Sequence, residues 1–381
     1  MGGAVLACTA SSISSTDTAA TEASSDGSSG GASSSSSSDT GGDATEGEQD
    51  DGDGGGGGAS EVDASDGSSP APQLRQAVRL DGSSSVCSVV NTPAGTYFGT
   101  KYGVVGRVID AQTGATTLMA TMPVASHACV TLAATPTALY VAVPVALGPS
   151  GHGELHRFPL NGGAGQLVGT IPAMTPTLTD DSYPIVSDGT DVFIAADPNV
   201  WHLPATAGGS LTRLMIGGSN YYANDLALGP LGLYSWHGGS QDMISWFSKT
   251  GTILGTKTGV PAGHFTFVFA ADALFSSTFS FVQHRTPATF DGATTPFVST
   301  PAPGAALAAD ASHLYVANGE NISVFTLATG ALVETIATKI GALHNPSIEF
   351  SPRLAGPLSV GATYIYARED GTERMLLAIP K

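Results

Sequence analysis

Short aliphatic and aromatic runs recur along the last three hundred residues, with Gly, Pro, Asp or Asn between them. Seven stand out: Tyr97-Phe98, Leu139-Tyr140-Val141, Val192-Phe193-Ile194, Leu233-Tyr234, Leu274-Phe275, Leu314-Tyr315-Val316 and Tyr364-Ile365-Tyr366. From Tyr97 to Tyr364 there are six steps over 267 residues, a mean spacing of about 44. Apolar runs this short, bounded by turn residues, predict strands. A repeat of about 40–45 residues built from short strands predicts the blade of a β-propeller. One blade cannot bury its own apolar face, so the repeats must stack into a ring. The predicted fold class is all-β, a seven-bladed β-propeller.

Each repeat has one grammar: an apolar strand, a tight turn, the aromatic strand, a third strand, a Gly-rich turn and a fourth strand. Thr266-Phe267-Val268-Phe269-Ala270, the turn at Ala271-Asp272 and Ala273-Leu274-Phe275 show its start. Polar/apolar alternation is imperfect, as expected of strands buried on both faces. Third strands followed by paired glycines stand at Leu155–Leu160 with Gly162-Gly163, and at Val200–Pro204 with Gly208-Gly209. Such glycines permit positive φ in the hairpin to the outer strand. No run has the 3.6-residue period of a long amphipathic helix. The most apolar window, Val130 to Gly148, is broken by Pro136 and Pro144, and reads as two strands rather than a membrane span.

The chain ends predict how the ring closes. The last repeat stops at its third strand, Met375–Ile379, while Gln73–Leu80 is a spare strand before the first blade. Pairing the two would complete blade seven and remove an exposed sheet edge. A ring of this size, roughly 300 residues, buries about three quarters of its unfolded surface.

Residues 314 to 336 carry a family resemblance. Leu314-Tyr315-Val316-Ala317-Asn318, Ile322-Ser323-Val324-Phe325, Thr329-Gly330 and Val333-Glu334-Thr335-Ile336 resemble the YVTN β-propeller repeat, with Ala317 where that family has Thr. The hairpins of the second and third blades resemble the divergent propeller repeats of exported bacterial proteins, and Phe281-Val282-Gln283-His284 fits neither pattern. The resemblance implies the fold. Because YVTN-type propellers include lactonases and lyases, it also implies an enzymatic alternative.

Composition divides the chain into residues 1–8, 9–73 and 74–381. Residues 9–73 are nearly all Ser, Gly, Ala, Thr, Asp and Glu, and hold 13 of the 32 acidic residues; no Lys or Arg precedes Arg75. Such a segment cannot bury enough apolar surface to offset the entropy of ordering, and is expected to be a disordered acidic linker. As a coil it would reach roughly 45 Å. Asp50-Asp51-Gly52-Asp53-Gly54 lacks the distal Glu of a calcium loop. Val5-Leu6-Ala7-Cys8 resembles the lipobox of bacterial lipoproteins, which implies lipidation at Cys8. A leader needs a basic region and an apolar stretch. Only seven residues, none basic, precede Cys8, so either the true start lies upstream or Cys8 is an incidental thiol. Cys87 and Cys129 stand 42 residues apart, about one repeat. In an exported protein they could form a disulfide, with two buried thiols as the alternative.

The chemistry-bearing residues are sparse. There is no G-x-S-x-G, H-E-x-x-H, P-loop or C-x-x-C. His152 and His156 have i, i+4 spacing but lie on a strand, where that spacing loses its meaning. Asp180, Asp181, Asp188, Asp191 and Asp197 are close in sequence, but Ser187–Asp191 reads as a hairpin turn. Trp201, Trp236 and Trp246 read as packing between sheets. Loops entering the innermost strands line one mouth of a propeller channel. There the chain places His127, Tyr183, Tyr222, Asn224, His264, His344 and Asn345, a candidate site for a small polar or glycan-like ligand or a protein. With 14 Lys and Arg and a net charge of −18, nucleic acid is excluded as a partner. No metal or cofactor is expected. The expected function is a non-catalytic binding or scaffolding module at the bacterial cell envelope, monomeric and held to a membrane through Cys8. The alternative is a lactonase-like hydrolase or lyase with its site at the channel mouth.

Overall fold

The structure is a computed structural model. It describes residues 71–126, 128–146, 151–172, 182–196, 199–205, 209–214, 222–238, 243–258, 266–277, 281–290, 295–299, 306–338, 354–369 and 374–381, some of them by backbone alone. Two short strands come first, β1 (Gln73–Arg75) and β2 (Val78–Arg79). Blade one is β3 (Val86–Thr92), β4 (Gly95–Thr100), β5 (Val104–Asp110) and β6 (Ala115–Thr121). Blade two is β7 (Thr131–Ala134), β8 (Ala138–Ala146), β9 (His152–Pro159) and β10 (Gln166–Ile171). Blade three is β11 (Ile185–Ser187), β12 (Asp191–Ala196), β13 (Asn199–Pro204) and β14 (Thr212–Leu214). Blade four is β15 (Tyr222–Gly229), β16 (Gly232–Gly238), β17 (Met243–Phe247) and β18 (Ile253–Thr258). Blade five is β19 (Phe267–Ala270), β20 (Ala273–Ser277), β21 (Phe281–Arg285) and β22 (Thr295–Ser299), with a 3-10 turn at Pro287–Thr289 before its last strand. Blade six is β23 (Ala306–Ala309), β24 (His313–Asn318), β25 (Asn321–Thr326) and β26 (Leu332–Thr338). Blade seven is β27 (Leu354–Val360), β28 (Tyr364–Glu369) and β29 (Leu376–Pro380).

Each blade is an antiparallel sheet in chain order. The first strands touch one another in sequence from β3 through β27 and back to β3, so they surround the axis and the ring is closed. Seven core clusters fill the seven joints between consecutive blades. The last joint brings Leu80, Val86, Val89 and Phe98 against Tyr366, Leu376 and Ala378.

The period in the sequence has a packing cause. All seven aromatic runs form second strands, and successive side chains on a strand point to opposite faces. One aromatic per blade therefore faces the next blade: Tyr97 packs on blade two, Tyr140 on blade three and Phe193 on blade four. Tyr234, Phe275, Tyr315 and Tyr366 continue the series, Tyr366 onto blade one. Neighbours such as Phe98 and Leu139 fill the joint behind. Burial on both faces is why polar/apolar alternation fails.

Ring closure differs from the single strand expected over Gln73–Leu80. β2 pairs antiparallel with β29, Val78 opposite Ala378, and Leu80 N extends the ladder to Leu376 O (2.9 Å). β1 does not follow. It pairs parallel with β26 of blade six, Gln73 opposite Ile336, making that sheet five-stranded. The chain crosses between the two blades at Ala77, which is buried in the blade six–seven joint. β29 spans only five residues, too few to carry the whole segment, while the longer β26 offers an open edge.

Cys87 lies on β3 and Cys129 two residues before β7. Their sulfurs are bonded, with Cα atoms 5.8 Å apart, which ties the inner strands of blades one and two. Trp201, Trp236 and Trp246 pack in interblade clusters. No helix among the described residues is long and apolar enough to cross a membrane.

Candidate functional site

Antiparallel order puts the two kinds of loop at opposite ends of the ring. Loops entering the first strands lie at one end. The first hairpin of each blade, with the turn between its third and fourth strands, lies at the other.

The sequence-predicted residues were expected at the entry end. His127, His264, His344 and Asn345 lie outside the described residues, as does Cys8. Tyr222 and Asn224 have their backbone on β15, with Asn224 at the bulge between Ala223 and Asp225. Tyr183 is not turned toward the channel. It is fully buried in the joint of blades two and three, and its hydroxyl donates to Pro172 O (3.1 Å). Its carbonyl accepts from Thr131 Oγ1 (2.5 Å). Gly153 makes the space, since a Cβ there would stand 2.2 Å from Tyr183 Cε2. Burial pushes the phenol above the ordinary tyrosine range. Tyr183 is a core residue rather than a ligand contact.

A cavity lined by described residues lies at the other end. Its volume is about 780 Å³, and it spans the arc of blades five, six, seven and one. Its walls are first hairpins: 91–96 of blade one, 269–271 of blade five, 309–311 of blade six and 359–364 of blade seven, with Tyr366 and Lys381. The size falls within the ordinary range for small-ligand sites, about 300–1,000 Å³.

Three groups shape this cavity. Across the blade seven–one seam, Thr96 Oγ1 donates to Asn91 Oδ1 (2.6 Å), and Asn91 Nδ2 donates to Ser359 Oγ (2.6 Å). Tyr364 and Tyr366 set their rings 6.3 Å apart at 42°. On the blade six side, Lys381 Nζ donates to Asp310 Oδ2 (2.7 Å) and sits 5.2 Å over the Tyr315 ring. Tyr315 Oη donates to the same oxygen (2.8 Å), while Ser312 N and His313 N donate to Asp310 Oδ1. Burial works to raise the Asp310 pKa, but these donors, Lys381 foremost, hold it well below the ordinary carboxylate range. Burial and the bond to Asp310 push the Tyr315 phenol up. Asp310 and Lys381 carry the charged side chains on the described wall, and these pair with each other.

Asp310, Ser312 and His313 do not form a nucleophile relay. Ser312 Oγ meets His313 Nδ1 at 2.9 Å, and Asp310 Oδ1 lies 3.5 Å from that same nitrogen. A relay needs the two ring nitrogens, one for each partner. Among the described residues no group of three or more His, Cys, Asp or Glu is placed to hold a metal ion, and no histidine or cysteine lines the cavity.

No protein-family model matches the chain, and no curated protein does. Solved structures match it in shape. Virginiamycin B lyase from Staphylococcus aureus aligns with TM-score 0.54 at 14% identity, over 81% of this chain and 99% of that one. YCF48 bound to a D1 peptide aligns with TM-score 0.55 at 10% identity, over 82% and 97%. The chain is a seven-bladed β-propeller. BamB from Moraxella catarrhalis also aligns, with TM-score 0.48 at 14% identity over 80% and 98%. At these identities the likeness concerns the fold.

Asn91, Thr96, Ser359 and Lys381 were not legible as site residues. Their signal was positional: each of the first three flanks the hairpin just before an aromatic run. Superposing the repeats on those turns would have collected the cavity wall.

Proposed function

We propose that this protein is an exported, lipid-anchored β-propeller that acts as a non-catalytic binding module at the bacterial cell envelope. The observation that carries the reading is the cavity at the first-hairpin end. It has the volume of a ligand site, its carboxylate and ammonium neutralise each other, and its described wall offers hydroxyls, an amide and tyrosine rings. The Cys87–Cys129 bond supports export, because disulfides persist in oxidising compartments. The lipobox-like Val5–Cys8 and the acidic, Ser/Gly-rich residues 9–73 support an anchor with a spacer, which would hold the ring away from the membrane.

The experiment is a thermal-shift screen of short peptides and oligosaccharides, with mass spectrometry of every ligand afterwards. A ligand that binds the native state raises Tm. A raised Tm with the ligand unchanged supports the reading; a chemically converted ligand replaces it with the hydrolase or lyase alternative. The anchor has its own test, partition of Cys8→Ser between membrane and soluble fractions. Equal partition with the natural protein would remove the anchor from the proposal.

A further inference from the structure

We infer that the cavity at the first-hairpin end is a site for a neutral saccharide of one or two rings. The inference rests on the binding-module reading and names its ligand.

Four observations carry it. First, the charged side chains on the described wall are Asp310 and Lys381, joined at 2.7 Å, so a charged ligand would find no side chain free as a counter-charge. Second, the seam groups Asn91, Thr96, Ser359, Thr363 and Tyr364 are amide and hydroxyl. Such groups both donate and accept, which matches sugar hydroxyls that do the same. Thr96, Asn91 and Ser359 are already aligned by their mutual bonds, so little entropy is lost on binding. Third, the half-buried Tyr364 presents apolar ring surface beside those groups, with the buried Tyr366 ring 6.3 Å from it. A pyranose needs that combination, a C–H face together with a hydroxyl rim. Fourth, the walls are hairpins whose strands are already paired: β3 with β4, β19 with β20, β23 with β24 and β27 with β28. An extended peptide finds no free ladder there, and its own N–H and C=O groups would lack partners.

The test is saturation-transfer NMR and calorimetry on the full chain. The probes are maltose, cellobiose and N,N′-diacetylchitobiose, against a glucuronate-containing disaccharide, the free-amine glucosamine dimer and an uncharged tripeptide blocked at both termini. A neutral disaccharide should bind saturably, and the charged sugars at least tenfold more weakly. Thr363 is exposed, so Thr363→Lys places a bulky charge at the rim without touching the core, and should weaken binding at least tenfold with Tm unchanged. Tyr364→Ala should weaken binding by the same order, with its melting curve as the control that the ring still folds. No saturable binding by any neutral disaccharide overturns the inference, as does binding indifferent to Thr363→Lys. If the tripeptide binds and the sugars do not, the saccharide assignment falls while the binding module stands. A converted sugar overturns the non-catalytic reading instead.

Discussion

Arg79 grips Glu369 with two parallel hydrogen bonds, Nε to Oε2 at 3.0 Å and Nη2 to Oε1 at 2.7 Å. They join residues 290 apart in sequence, on the N-terminal strand β2 and on β28 of blade seven. The Glu369 side chain is 3% exposed and that of Arg79 33%. A bidentate pair of this kind fixes geometry as well as charge. Removing the Arg79 side chain would leave the buried Glu369 carboxylate without this partner. Arg79→Ala should cost about 2 kcal/mol, between the values for exposed and fully buried pairs. Denaturant unfolding reads it as a lower midpoint at unchanged slope. An unchanged midpoint would mean that β2 is held by its backbone alone.

The hairpin carboxylates make stability depend on acid in a way that can be separated. Asp188 of blade three accepts from Lys249 of blade four, as Asp310 of blade six does from Lys381 of blade seven. For both, burial raises the pKa, but the hydrogen bonds outweigh it and set the folded value below the usual range. A depressed carboxylate contributes stability that is present above the unfolded-state value, near 4. That stability is lost as pH falls from there through the folded value. Asp310→Asn should flatten the fall of Tm below about pH 4 relative to the natural chain. A parallel fall in both would refute the linkage.

His284 should give an earlier step. Burial holds its pKa below the ordinary histidine value, and its ring packs against both Phe275 (5.3 Å) and Phe297 (5.6 Å). The unfolded chain then binds the proton more readily. Stability should begin to fall below about pH 6.5, well before the carboxylates titrate. His284→Gln should remove this shallow step and leave the lower one, as read from Tm between pH 7 and 5.

Reduction should weaken the first two blades. The Cys87–Cys129 bond closes a loop with a separation of 42 residues, which in the chain-entropy model stabilises by about 4 kcal/mol. The double variant Cys87→Ser/Cys129→Ser should unfold at lower denaturant by that order. Dithiothreitol should lower the natural protein's midpoint and leave the variant's unchanged.

Gly153 and Tyr183 test the blade two–three joint. Gly153→Ala would drive a methyl into the Tyr183 ring and should cost about 1–3 kcal/mol as overpacking. Tyr183→Phe should cost about 1 kcal/mol for the lost bond to Pro172 O. In the Phe variant, ligand binding at the first-hairpin cavity should be unchanged.

How much was legible follows from what each residue depends on. The seven aromatic runs were legible because each blade must cover its neighbour. A forward-facing ring on the second strand does so once per repeat, from Tyr97 to Tyr366. The turn at Ser187–Asp191 was legible because Asp-Gly is a local conformational signal. Asp188 does bond the amides of Thr190 and Asp191 there. Tyr183 was misplaced because its loop position fixes an end of the ring, whereas its direction depends on Gly153, thirty residues earlier. β1 was misplaced because its partner, β26, lies in the neighbouring blade, and a strand's own pattern does not say which sheet edge it joins.

Local pattern thus settled the repeat, the strand order and the number of blades. Those follow from short-range turn chemistry and from an apolar face that every repeat must bury. The cavity depended on closure. Residues 91–96, 309–311 and 359–364 are far apart in the chain; only the joining of blade seven to blade one sets Asn91 beside Ser359, and only the packing of blade seven on blade six sets Lys381 over Tyr315. Such meetings are set by the curvature of the whole ring, which no window of sequence contains.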